Sequence, residues 1–302
     1  MENQVTLAFI GLGVMGGPMA GHLARAGHDV RAFNRSPDRA RQWNERWTKE
    51  GLAPTLNDSP AAACEGADIV FACVGNDDDV AQVTMGEDGA LKTMQAGALL
   101  VDHTTTSAGM ARKLGRACAD RGIDFLDAPV SGGQAGAEKG QLAIMCGGSD
   151  TAFDRARPVM AAFGKSIIHV GPVGAGQTAK MANQMCIAGI LGGLSEAVRL
   201  VEAAGLDTQK TYEAISGGAA QSWQMDNRWE TMVAGEFDFG FAIDWMRKDL
   251  GYALAEANRL GLSSPIAALV DQFYAEVQAD GGGRLDTSAL LSRLPKPNTN
   301  SG

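Results

Sequence analysis

The first half of the chain alternates short apolar runs with stretches of helical period. Val5 to Ile10, Asp29 to Phe33, Ile69 to Val74, Ala98 to Asp102 and Ile123 to Leu126 read as strands. Between them lie glycine-rich turns and helical stretches, such as the one running to about Ala26 that Gly27 stops, Ser59 to Glu65, and Ser107 to Arg121. Strands alternating with helices predict right-handed βαβ units and a parallel sheet covered on both faces. Leu142 to Cys146 and Ser166 to Val170 add two strands around a helix from Thr151 to Phe163. Beyond about residue 172 the strand signal stops. Ala175 to Ala204 is one apolar-periodic stretch closed by Gly205; at about 1.5 Å per residue it would run roughly 45 Å. Such a helix serves to join two domains and form the spine of the second. Further helical patterns cover Asp207 to Ser216, Ala242 to Leu260, Ile266 to Ala279 and a short stretch near Thr287 to Arg293, with a loop at Gly281 to Gly283. The pattern therefore predicts an α/β, doubly wound domain over 1–172, an all-helical domain over 173–294 joined to it by the long helix, and a disordered tail over 295–302.

Composition changes the picture in one respect. The 302 residues include 39 glycines, about twice the usual share. They follow no three-residue period and lie among apolar blocks, which rules out collagen and wholesale disorder. Lys plus Arg total 26 and Asp plus Glu 35, a net charge of −9. That balance argues against a nucleic-acid or anionic-membrane surface, though local backbone dipoles on an acidic protein still hold small anions. The cysteines at 64, 73, 118, 146 and 186 are odd in number and lack a C-x-x-C pair, so neither a disulfide framework nor a zinc site is indicated. Reduced thiols in a cytoplasmic protein are the expectation. The N-terminus carries Glu2 in place of a basic region and an apolar stretch, and no apolar run continues unbroken for about 18 residues. Neither a signal peptide nor a membrane span is expected.

The candidate chemistry sits in turns. Gly11-x-Gly13-x-x-Gly16 follows a strand and opens a helix. In such a turn the first glycine permits the tight bend, the second lets a pyrophosphate approach the backbone, and the third lets helix pack on strand. The loop predicts a dinucleotide site of Rossmann type, with Gly11, Leu12, Gly13, Met15 and Gly16 as contacts. The residue ending the second strand selects the cofactor. Asn34-Arg35-Ser36 stands there, with no carboxylate and with a guanidinium placed for a 2′-phosphate. NADP(H) is favoured over NAD(H); the plainer alternative leaves Arg35 in solvent and NAD bound. Val74-Gly75-Asn76, Thr104 to Ser107 and Ser131-Gly132-Gly133 follow other strands, and the last offers a hydroxyl and bare amides to an anion. Lys180 and Asn183 are one turn apart near the start of the long helix, and so share a face. Each of these, alone, is also readable as a plain turn or a solvated lysine. Asp77-Asp78-Asp79 reads as a solvated helix start and not as a metal site. The Trp- and Met-rich stretch from Trp223 to Met246 reads mostly as core or subunit interface, with one or two residues near Ser222 or Trp245 as the alternative wall of a substrate pocket, and Gly189, Gly192 and Gly193 as a helix crossing within the subunit or across a dimer interface.

Taken together, four blocks in fixed order resemble the β-hydroxyacid dehydrogenases, the group containing 3-hydroxyisobutyrate dehydrogenase, tartronate semialdehyde reductase and the glyoxylate/succinic semialdehyde reductases. The blocks are Phe9 to Gly16, Asp127 to Gly133, Gly174 to Asn183, and Lys248-Asp249-Leu250. The resemblance spans about residues 5 to 294. It implies reversible hydride transfer between a nicotinamide cofactor and a small β-hydroxyacid or its semialdehyde, with no metal. By the same resemblance Lys180 is the proton donor and acceptor, and Asn183 orients the substrate. Ser131, Gly132 and Gly133 hold the substrate carboxylate; the sequence itself leaves a sulfonate or phosphate in its place open. Thr105, Val74 and Gly75 lie at the cofactor, and Lys248 closes over it from the second domain. A homodimer or homotetramer is expected, with small carboxylate-bearing hydroxyacids or aldehydes as the only other partners. His103 departs from the resemblance and reads as a neutral core residue. Two alternatives remain at this point. One is an imine reductase on the same fold, which the lysine at 180 disfavours; the other is a non-catalytic dinucleotide-binding protein.

Overall fold

The computed structural model describes residues 5–52 and 54–296. Most of the expected tail, residues 297–302, lies outside the described residues. The chain divides into two compact units, with the boundary between Lys180 and Met181.

Unit 1 holds one sheet. Its strands are β1 (Thr6–Ile10), β2 (Asp29–Phe33), β3 (Thr55–Leu56), β4 (Ile69–Ala72), β5 (Leu99–Asp102), β6 (Asp124–Asp127), β7 (Val130–Ser131), β8 (Leu142–Gly148) and β9 (Gly164–Gly171). Its helices are α1 (Gly16–Arg25), α2 (Pro37–Lys49), α3 (Pro60–Cys64), α4 (Asp77–Met85), α5 (Ala108–Ala119), α6 (Gly133–Glu138) and α7 (Asp150–Met160). The strand order is β3-β2-β1-β4-β5-β6-β8-β7, with β9 beside β8. From β3 to β6 every pairing is parallel. Alternate residues of one strand face opposite cores. Leu7 and Phe9 pack with Met19, Trp43 and Trp47 on one side, while Ala8 and Ile10 pack with Val80, Met110 and Leu114 on the other. Both faces are dry, which is why these strands read as unbroken apolar runs.

The expectation of a wholly parallel sheet is corrected at the far end, where β8 runs antiparallel to β6 and β7. A parallel crossover needs a dozen or more residues, and only α6 and its flanking turns separate β7 from β8. Ser131 accordingly ends a short strand and does not lie in the turn itself.

Helices α8 (Ala175–Ala203), α9 (Thr208–Ser216), α10 (Trp223–Ala234), α11 (Ile243–Arg259) and α12 (Pro265–Ala279) follow, with α8 beginning in unit 1 and running into unit 2, and short 3-10 helices at Gly282–Arg284 and Thr287–Arg293 come after α12. By length and composition α8 could cross a bilayer, with a mean hydropathy of 1.3. The average is high because Ala and aliphatic residues surround scattered polar ones, so no unbroken apolar run announced it. Its residues Ala188, Leu191, Leu194, Val198 and Val201 pack in the unit 2 core with Trp229, Met246 and Tyr274. The expected helix crossing is found for two of three glycines. A Cβ on Gly189 or Gly192 would lie 3.7 or 3.4 Å from side chains of Ile266 and Val270 on α12, which is ordinary contact, while one on Gly193 would meet nothing within 4 Å. The part of the crossing assigned to Gly193 is therefore absent within the chain.

Candidate active site

The turns expected to carry ligand contacts leave one edge of the unit 1 sheet, because the last residues of five strands are register partners. Phe33 pairs with Ile10, Ile10 with Ala72, Ala72 with Asp102, and Asp102 with Asp127. The strand order reverses between β1 and β4. Open α/β sheets bind ligands at such a reversal, outside the carboxyl ends of the strands.

The β1 turn separates the jobs of its three glycines. Gly11 has φ +98°, and a Cβ there would sit 2.2 Å from the Cys73 carbonyl oxygen. A Cβ on Gly16 would sit 2.0 Å from the Gly11 oxygen, whereas one on Gly13 would meet nothing within 4 Å. Gly11 and Gly16 are thus demanded by the turn, and Gly13 leaves its outer side bare. Met15 occupies the N-cap of α1 and supplies no capping side chain, so the positive end of that helix is unfilled. These features fit the pyrophosphate of a dinucleotide. Beyond β2, Asn34 accepts the Leu12 N–H at 2.9 Å and donates to the Ser36 oxygen at 3.0 Å. Its side chain braces the glycine turn against the start of α2. Ser36 stands at the N-cap of α2 without a capping bond. Arg35 is exposed and pairs with Asp79 at 2.7 Å.

The next turns are stitched together. The Val74 N–H donates to Thr104 Oγ1 at 3.0 Å. Asp77 accepts from the Ser107 N–H and hydroxyl at 2.8 and 2.5 Å. The acidic run does open α4, capped by Asn76, but Asp77 and Asp79 have partners and are not simply solvated. Gln177 is fully buried. It donates to the Thr104 oxygen at 2.7 Å and accepts the Thr106 N–H at 3.0 Å. Thr105, the expected cofactor contact, lies between those two anchors.

Asp127 closes the head of α8. Its two carboxylate oxygens accept the Gly174 N–H at 2.7 Å and the Gln177 N–H at 2.9 Å. A Cβ on Gly176 would sit 2.4 Å from the Met145 oxygen and 2.6 Å from the Asp127 oxygen, so glycine is required at that junction. Burial pushes the Asp127 carboxyl up to about 6, against the downward pull of the Gly174 and Gln177 amides. Lys180 is buried in the second turn of this helix. Burial also pushes the Asp102 carboxyl up to about 7 and the His103 ring down to about 4. His103 Nδ1 donates to the Ala128 oxygen at 2.7 Å, and its ring stacks on Phe71 at 5.6 Å. It is a neutral core histidine.

Ser131 is half-buried at the end of β7, followed by Gly132 at φ +131° and Gly133 at φ +61°. In unit 2, Asn183 Nδ2 donates to Gln184 Oε1 at 2.8 Å, and Gln184 Nε2 donates to Asp249 Oδ2 at 2.7 Å. Lys248 Nζ lies 3.1 Å from Asp249 Oδ1 and over the Trp245 and Tyr252 rings. Asn183 and Lys248, expected separately, are joined through Gln184 and Asp249. The linking roles of Gln177, Asp127, Gln184 and Asp249 had no local signal, since the bonds of Asp127 to Gly174, of Gln184 to Asp249 and of Gln177 to Thr104 span 47 to 73 residues.

Known proteins are similar to this chain over most of its length. Residues 6–171 match the family described as the NAD binding domain of 6-phosphogluconate dehydrogenase. Residues 174–294 match the one described as the NAD-binding domain of NADP-dependent 3-hydroxyisobutyrate dehydrogenase. The chain is 37% identical over 288 residues to 2-hydroxy-3-oxopropionate reductase of Escherichia coli (strain K12), covering 95% of this chain and 96% of that protein. The chain belongs to the β-hydroxyacid dehydrogenase family. An uncharacterized oxidoreductase of Shewanella frigidimarina (strain NCIMB 400) is 57% identical over 290 residues, 96% of this chain and 98% of that one. The structure of 3-hydroxyisobutyrate dehydrogenase from Mycobacterium tuberculosis with L-serine has a TM-score of 0.85 at 32% identity, covering 96% of this chain and 99% of its own. As a β-hydroxyacid dehydrogenase the protein is an oxidoreductase that acts on CH–OH groups with a nicotinamide dinucleotide.

Proposed function

We propose that this dehydrogenase interconverts a small β-hydroxyacid of 3-hydroxyisobutyrate type and its semialdehyde, with Lys180 as the acid and base and NADP(H) favoured over NAD(H). The observation that carries the reading is the setting of Lys180: it is buried, and the head of its helix is tied by Asp127 and Gln177 to the turns after β5 and β6. A fixed head gives Lys180 a fixed address relative to those turns. A bound nicotinamide supplies or takes the hydride. As ammonium, Lys180 Nζ stabilises the negative charge that develops on the carbonyl oxygen and delivers a proton to it; as the neutral amine it takes the hydroxyl proton back. The Ser131 hydroxyl and the Gly132 and Gly133 amides hold the substrate carboxylate, and Asn183 orients the reacting end. Lys248 covers the cofactor. The absence of an acid at the end of β2 and the presence of Arg35 favour the 2′-phosphate. The relatives named for 2-hydroxy-3-oxopropionate and 3-hydroxyisobutyrate support a substrate of three or four carbons. Five free cysteines support a cytoplasmic setting, and exposed Ile190, Leu200, Ile266 and Leu269 support self-association through unit 2.

The test is nicotinamide absorbance with tartronate, methylmalonate and succinic semialdehydes and glyoxylate, each with NADPH and NADH. Turnover on at least one, faster with NADPH, is expected. Dinucleotide binding without turnover on any of them would overturn the reading.

A further inference from the structure

We propose that Asp79 sets the cofactor preference of this enzyme, by engaging the Arg35 guanidinium that a 2′-phosphate needs and so holding the preference for NADP(H) down. The inference rests on the reading of Arg35 as the 2′-phosphate ligand. Arg35 Nη1 lies 2.7 Å from Asp79 Oδ1, with side-chain exposures of 75% and 22%. The less exposed acid is the fixed partner. Asp79 is in the first turn of α4, its N–H donates to Asn76 Oδ1 at 2.9 Å, and the positive end of the helix favours its charge. The same turn is pinned by Asp77 to Ser107. Arg35, on an exposed loop, has the freer side chain.

The ground around the pair is acidic. A groove of about 250 Å³ is lined by Phe33 and Arg35 on one side and by Glu87 and Asp88 on another, and Arg35 is the one cation among its lining residues. Asp88 is partly answered by Lys92 at 3.0 Å; Asp79 has Arg35. A 2′-phosphate arriving at Arg35 must share the guanidinium with a carboxylate already at hydrogen-bond distance, or displace it. Either way two anions meet on one cation, and the like charges repel. A ribose 2′-hydroxyl meets no such repulsion and is itself a donor that a carboxylate can accept. Sheets that bind NAD carry that carboxylate at the end of β2; here Asn34 stands there, and α4 brings Asp79 to the neighbouring residue. The pairing spans 44 residues of sequence, so it is invisible in the local motif.

The experiment measures NADPH and NADH affinity by titration fluorescence on the full chain, for the wild type, Asp79→Asn and Arg35→Gln. Asparagine keeps the shape and the α4 backbone cap, and thermal melts confirm folding, with Asp79→Ala as the second variant. Asp79→Asn tightens NADPH by roughly 5- to 10-fold, the size expected for removing one charge at this range in a watery site, and does not tighten NADH. Arg35→Gln weakens NADPH. If Arg35→Gln weakens NADPH while Asp79→Asn leaves it unchanged or weaker, Asp79 only holds Arg35 in place and the proposal is overturned. If Arg35→Gln itself leaves NADPH affinity intact, the cofactor reading fails first and the proposal falls with it.

Discussion

Two helices begin at the same edge of the sheet and end up with opposite uses. The head of α1 is left unfilled: Met15 supplies no cap, and Gly13 is bare on its outer side. The head of α8 is closed: both oxygens of Asp127 are spent on its first amides. Each helix presents the same partial positive charge and the same surplus of N–H donors. In one the fold leaves the charge for an anionic ligand. In the other it spends the charge on a buried carboxylate, and the gain is a fixed helix bearing Lys180. A helix N-terminus is therefore a ligand site only where the chain declines to fill it. Gly11, Gly16 and Gly176 are each required by close backbone contact, whereas Gly13 is not.

That contrast can be broken from either side. The largest effect is expected at the open end. Gly13→Ala weakens dinucleotide binding roughly 100-fold, about 2.7 kcal/mol, while the melting temperature of the unliganded protein stays put, because the added Cβ meets nothing within 4 Å. Gly16→Ala lowers the melting temperature as well, since its Cβ would sit 2.0 Å from the Gly11 oxygen. A thermal melt beside a binding titration separates the two. At the closed end, Asp127→Asn turns an NH₂ toward one of the two amides and costs about 1–3 kcal/mol of stability, read as a shift in denaturant midpoint. A pH-dependent effect accompanies it. The folded Asp127 carboxyl titrates near 6, above the unfolded value of about 4. Between those values the folded chain keeps a proton that the unfolded chain has lost, so the contribution of Asp127 falls as pH rises through the window. The stability of the wild type relative to Asp127→Asn should decline from pH 4 to 6; parallel curves would contradict the assignment.

Much of this was legible in the sequence where the physics is local. The span of β2, the span of α8 to within a residue and the glycine turn follow from apolar period and punctuation alone. The antiparallel β8 does not, because period-two alternation carries no direction. Strands β3 and β7 are too short to show any period. Helix α10 was hidden by its composition: Trp223, Met225, Trp229 and Met232 read as core, although Ser222 caps the helix and Gly235 ends it at φ +75°. At the site, residue types were legible and partnerships were not. Asp127 and Gln177 both lie inside the motifs, yet what they hold is set by tertiary contacts 47 to 73 residues away.

In the function proposed for this enzyme, the closed end carries the proton chemistry while the open end holds the cofactor. Lys180→Ala separates the two when assayed for turnover on the best substrate of the panel and for NADPH affinity in the same preparation. Turnover should fall by roughly 10³-fold or more with cofactor affinity unchanged. Near-normal turnover with intact cofactor binding would contradict that proposal.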